Sequence, residues 1–133
     1  MKTPALFLSA LLVGVSLAAT DALAVDNVTS REAPDLTAVR AKIKAKDYKA
    51  ALAELTPMLE THQHADVYNL MGFSLRKSGD YKQAYTFYRK ALGVFTDLEK
   101  RSALRPADRD MAATLSQKIS ETDRELARLD SAS

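Results

Sequence analysis

The chain has 133 residues, 47% of them hydrophobic and 27% charged, with four glycines, four prolines and a formal net charge of +2. That balance excludes a disordered or collagen-like chain, and so small a positive excess gives no concentrated basic surface of the kind nucleic-acid binding needs. With no cysteine, structural disulfides, thiol catalysis, Cys-ligated zinc and a lipid-bearing cysteine are excluded as well.

Residues 1–24 divide into a positive start at Lys2, an apolar stretch from Ala5 to Ala19 and a small-residue end at Ala22-Leu23-Ala24. This is the three-part layout of a secretory signal peptide. The apolar stretch, about 15 residues, falls short of the roughly 20 that cross a bilayer, and Asp21 stops it from lengthening. Cleavage after Ala24 is expected, which leaves no stable membrane span; the alternative is retention as an N-terminal anchor. A single basic residue before an Ala/Leu-rich core has a bacterial character, so the periplasm is the expected destination. Asn27-Val28-Thr29 matches the glycosylation sequon, a chance match in that setting. Residues 25–33 are polar and unperiodic, and read as a flexible linker.

From residue 34 onward the chain repeats itself. Lys46-Asp47-Tyr48-Lys49-Ala50-Ala51 recurs as Gly79-Asp80-Tyr81-Lys82-Gln83-Ala84, a shift of 33 residues. The second unit carries Tyr68, Met71-Gly72, Leu75, Gly79-Asp80-Tyr81, Ala84, Tyr88 and Ala91. This series resembles the tetratricopeptide repeat: an aromatic, then Leu-Gly, then Tyr, then Ala with Phe four residues on. The substitutions keep the size class, although Thr96 stands where the repeat usually closes on proline.

Physical reasons support that spacing. Tyr68, Met71 and Leu75 fall three and four residues apart and share one helical face, where Gly72 lets a facing helix approach closely. Gly79 permits a sharp reversal and Asp80 is a good N-cap for the next helix. Ala84, Tyr88 and Ala91 alternate small with large, as interdigitating helices require.

The first unit is degenerate. Asp47-Tyr48, Ala51, Leu55 and Met58 match the second helix of the pattern, but Val39 stands in the place of Gly72 and Lys42 in the place of Leu75. Its first helix, about Pro34 to Ala45, is expected to be weakly packed or partly solvent-facing. Pro57 lies inside the helix expected from Tyr48 to about Thr61, and predicts a kink or a break there.

After Ala91 the repeat fails. A helix continuing through Phe95 and Leu98 is expected, then a new one starting near Pro106, where proline suits the first turn. Met111, Leu115, Ile119, Leu126 and Leu129 form a narrow apolar stripe, with Glu121/Arg124 and Glu125/Arg128 at pairing distance in sequence. This reads as a capping helix. The expected fold is therefore all-α: two antiparallel helical hairpins of tetratricopeptide type over residues 34–100 (34–64 degenerate, 65–97 a good match), then a capping helix and tail over 101–133.

The resemblance implies a groove lined by the first helix of each unit, and in the second unit it places Asp66, Asn69, Phe73, Arg76 and Lys77 there. Such a groove holds a protein or peptide partner, with Asn, Arg and Lys bonding a carboxylate and Phe73 adding apolar contact. The alternative is a structural assembly piece that self-associates as a homo-oligomer through its exposed repeat ends, because two repeats fall below the usual three. Arg40, Lys42, Lys44, Lys46 and Lys49 alternate by two and are expected to spread around a helix as a soluble surface; the alternative is an acidic partner or an anionic membrane surface, bound with strong salt dependence. His62 and His64 are read as exposed turn residues, too few for a metal site. No catalytic residues, metal or cofactor are expected, since the sequence has no nucleophile elbow, phosphate-binding glycine loop or His-Glu-x-x-His pair.

Overall fold

The computed structural model describes residues 33–133, so the expected export segment and residues 25–32 of the linker lie outside the described residues. Five helices follow one another: α1 (Thr37–Lys44), α2 (Tyr48–Thr61), α3 (Ala65–Lys77), α4 (Tyr81–Lys100) and α5 (Pro106–Ser131). No strand occurs among the described residues, so the fold class is all-α. Each helix packs on its neighbours in the chain, most extensively α3 on α4. The first three connections are so short that the packed neighbours must run antiparallel.

The turns repeat bond for bond. Asp47 N–H donates to the Lys42 carbonyl at 2.9 Å, and 33 residues later Asp80 N–H donates to the Leu75 carbonyl at 2.9 Å. This six-to-one bond closes a Schellman end, whose left-handed residue is Lys46 (φ 60°) in the first turn and Gly79 (φ 88°) in the second. The next residue then starts a helix: Asp47 accepts from Ala50 N–H at 3.0 Å and Asp80 from Gln83 N–H at 3.1 Å. A third copy of the ending closes α4, with Ala103 N–H on the Leu98 carbonyl at 2.9 Å and Ser102 at φ 55°.

The core runs along the interior of all five helices and includes the fully buried Val39, Leu55, Val67, Tyr88 and Leu115. At its centre Gly72 faces Tyr88. A β-carbon on Gly72 would sit 2.7 Å from two Tyr88 ring carbons, so only hydrogen fits, which is the close approach expected of this glycine. Burial pushes the Tyr88 phenol up to about 12, and its hydroxyl lies buried with no hydrogen-bond partner. The Arg76 guanidinium is a neighbouring charge that opposes this shift.

As expected, most of α1 faces solvent, while Val39 is fully buried in the place of the missing glycine. Two local expectations need correction. The second helix runs unbroken through Pro57 to Thr61, with Pro57 on its exposed side. In α5, Glu121 does not pair with Arg124: its carboxylate turns to Arg76 of α3, 3.7 Å away. Glu125 and Arg128 do pair, at 2.6 Å.

The last helix starts on Pro106 at its first turn. Leu115 is buried, Met111, Ile119 and Leu126 are half-buried, and Leu129 is 39% exposed, so the apolar stripe fades toward the C-terminal end. Among the described residues no helix is long and apolar enough to cross a membrane.

Candidate functional site

The five groove residues all lie on α3, and α1 and α5 reach several of them. Asp66 faces Arg40 of α1 at 4.0 Å. Asn69 accepts a hydrogen bond from Lys118 of α5 at 2.9 Å, and its amide nitrogen lies 4.0 Å from the Met111 sulfur. Arg76 pairs with Glu121, both side chains remaining about a third exposed. The helical face is thus bridged on both sides by side chains of this same chain.

Phe73 and Lys77 turn the other way. The Phe73 ring meets Tyr48 of α2 edge-on at 6.2 Å, and the Lys77 ammonium sits 5.6 Å over the Phe73 ring. Asn69, Arg76, Lys118 and Glu121 instead gather above Tyr88, with Lys118 5.5 Å over its ring. Burial, reinforced by the Arg76 charge, holds the Lys118 ammonium below the ordinary lysine value.

A cleft opens where α3 begins, α4 ends and α5 begins. Its volume is about 520 Å³, within the range of small-ligand and side-chain pockets. Ala65, Val94, Phe95, Leu98 and Met111 form its apolar wall, and His64, Asp66, Arg105 and Asp108 bring polar groups to it. Of the five residues expected in a groove, Asp66 is the one that lines this cleft. The extension of α4 beyond the repeat length supplies Leu98, and the Schellman end after it turns Ala103 and Arg105 into the wall.

Local chemistry fixes the polar edge. His64 is half-buried, not a free turn residue: its Nδ1 accepts the Asp66 N–H at 3.1 Å and caps α3. An accepting Nδ1 puts the ring proton of neutral histidine on Nε2. At the start of α5, Arg105 donates to the two Asp108 oxygens at 2.9 Å each, while Arg105 N–H donates to Oδ2 at 3.0 Å. The Arg105 hydrogen bonds hold the Asp108 carboxyl below its usual value. This closed pair leaves Asp108 only 6% exposed.

Among the described residues no group of three or more His, Asp or Glu side chains could hold a metal ion. The cleft escaped sequence reasoning because its lining comes from three separated segments that no periodicity connects. The signal that was present, Phe95 and Leu98 continuing the apolar face past the repeat, is the part of it that a sequence could reveal. No family model, characterised protein or solved structure matches the chain.

Proposed function

We propose that this chain is an exported helical-repeat interaction module of tetratricopeptide type that binds a segment of another protein and catalyses nothing. The observation that carries it is the cleft at the joint of α3, α4 and α5: an open apolar wall of Val94, Phe95, Leu98 and Met111 beside the polar His64 and Asp66. Such a wall accepts an apolar side chain of a partner, while the α3 residues Asp66 and Asn69 offer hydrogen bonds to its backbone. The bond-for-bond repetition of the turns at Asp47 and Asp80 supports the repeat assignment. The export layout of residues 1–24 supports a periplasmic setting.

The polar outer side of α5, exposed at Asp110, Ala113, Thr114, Gln117 and Asp123, favours a capped end over end-to-end stacking of copies. Site-specific photocrosslinking in the expressing cells tests the proposal. A crosslinking residue at exposed Ala107, on the cleft, should capture a discrete partner protein; the same residue at exposed Ala53 on α2 should not. Equal capture from both positions, or none from Ala107, overturns the cleft as the binding locus. A covalent dimer of the chain itself would favour the self-assembly alternative.

A further inference from the structure

The lysines around the first turn do not end up dispersed. Because α1 and α3 both run antiparallel to α2, the α1–α2 and α3–α4 turns emerge at one end of the molecule, opposite the cleft. The Tyr48–Phe73 contact, 6.2 Å between ring centres, ties the two turns together, and Lys77 caps the Phe73 ring. The repetition then places lysines in matching positions. Lys44 and Lys49 of the first turn correspond, 33 residues on, to Lys77 and Lys82 of the second, and Lys46 occupies the left-handed position between the first pair. All five are exposed.

Their charge is uncompensated locally. Ion pairs among the described residues engage Lys42 with Glu54 and Lys100 with Asp97, but none joins Lys44, Lys46, Lys49, Lys77 or Lys82. The two carboxylates in these turns, Asp47 and Asp80, are committed to the N–H groups of Ala50 and Gln83. Further along the same end, the last turns of α5 carry Asp123, Arg124, the Glu125–Arg128 pair near Tyr81, and Asp130, a net of one negative charge that offsets only part of the excess. The two turns thus hold an excess of three positive charges in a chain whose formal net charge is +2, so the remainder is slightly negative. Charge has been segregated to this end.

We propose that the two-turn end is a docking surface for an acidic peptide segment of a partner, separate from the cleft. Neighbouring helix axes lie roughly 8–10 Å apart, and carboxylates at alternate positions of an extended strand lie about 7 Å apart. One extended acidic segment therefore reaches from the Lys44/Lys49 pair to the Lys77/Lys82 pair. A bilayer surface is the less suitable anion, because basic groups hold to it durably when apolar side chains insert beside them. At this end the large rings, Tyr48 and Phe73, are half-buried and already packed on each other.

The test uses the protein as purified from expressing cells and a fluorescent decapeptide of alternating Glu and Gly, followed by anisotropy at low and at moderate salt. Saturable binding at low salt is expected, weakened by added salt. Replacing Lys44, Lys49, Lys77 and Lys82 together by Gln should weaken it by roughly tenfold or more, and replacing the same four by Arg should preserve it. A control that removes four charges nearer the cleft end, R89Q/K90Q/K100Q/R109Q, should leave it within about twofold at moderate salt, since interactions beyond a Debye length are then largely screened. No saturation at low salt, equal loss in the control, or tighter binding to phosphatidylglycerol vesicles or to a DNA oligomer than to the peptide would each overturn the proposal.

Discussion

The two hairpins solve one packing problem with different side chains. In the second, Gly72 on α3 faces the large Tyr88 ring on α4. In the first, the residues 33 positions earlier are Val39 and Leu55, both fully buried. A very small residue against a very large one has been exchanged for two of middle size, which conserves the volume between helices better than either change alone. The backbone differs less than the side chains: both turns keep the same six-to-one hydrogen bond and the same aspartate cap. Degeneracy in a repeat therefore need not mean poor packing, provided that changes on facing helices compensate.

The comparison breaks if the second hairpin cannot accept the first hairpin's solution. Gly72→Val alone drives a branched side chain into the Tyr88 ring and should destabilise by about 3 kcal/mol in urea unfolding. Gly72→Val with Tyr88→Leu should recover a substantial part of that loss. A double variant no more stable than the single one would mean that Val39 and Leu55 are not a compensating pair. Tyr88→Phe is the milder companion: it removes a buried hydroxyl that has no partner and should leave stability unchanged or raise it by up to about 1 kcal/mol.

The turns sharpen the comparison on the backbone. Lys46 holds φ 60°, near the left-handed minimum that L-residues can enter, whereas Gly79 at φ 88° lies beyond it. Exchange should therefore be asymmetric. Lys46→Gly should stabilise by about 1 kcal/mol at most, while Gly79→Lys should cost more than that. Equal and opposite shifts in thermal unfolding would show that the two turns have the same tolerance.

The all-helical class, the Asp80 cap and the role of Gly72 were legible in the sequence, because each depends on local spacing. Less legible was anything decided between distant segments. By repeat register Lys42 stands in an apolar place, yet its ammonium finds Glu54 across the pair. Helical spacing pairs Glu121 with Arg124, but α5 lies close enough to α3 for Arg76 to take it. The cleft depends on where α4 ends and how the chain turns at Ser102, a non-glycine left-handed residue that carries no sequence signal. Similarly His64 caps α3 in a place where Asp, Asn, Ser or Thr would have been recognised.

That cap yields a smaller test. His64→Ala should destabilise by about 1 kcal/mol and His64→Ser should not, since a hydroxyl can accept the same N–H. Equal losses from both would assign the contribution of His64 to its packing against the cleft and not to the cap.

The smallest effect is expected at the start of α5, the segment that lies outside the repeat. Arg105 holds the folded-state carboxyl of Asp108 below the ordinary aspartate value of 3.8. The stabilisation is accordingly complete above that value, where both folded and unfolded chains are ionised, and is lost as pH falls through 3.8 toward the lower folded value. Asp108 itself is nearly covered, but the Arg105 side chain that holds it is exposed, so solvent screens the pair and the change is small. Unfolding of the parent chain and of Asp108→Asn, compared from pH 6 to pH 3, should show a stability gap that narrows on acidification. A constant gap would mean that Asp108 acts through its shape alone, as a neutral cap, and that the charge on α5 contributes nothing to holding the cleft wall in place.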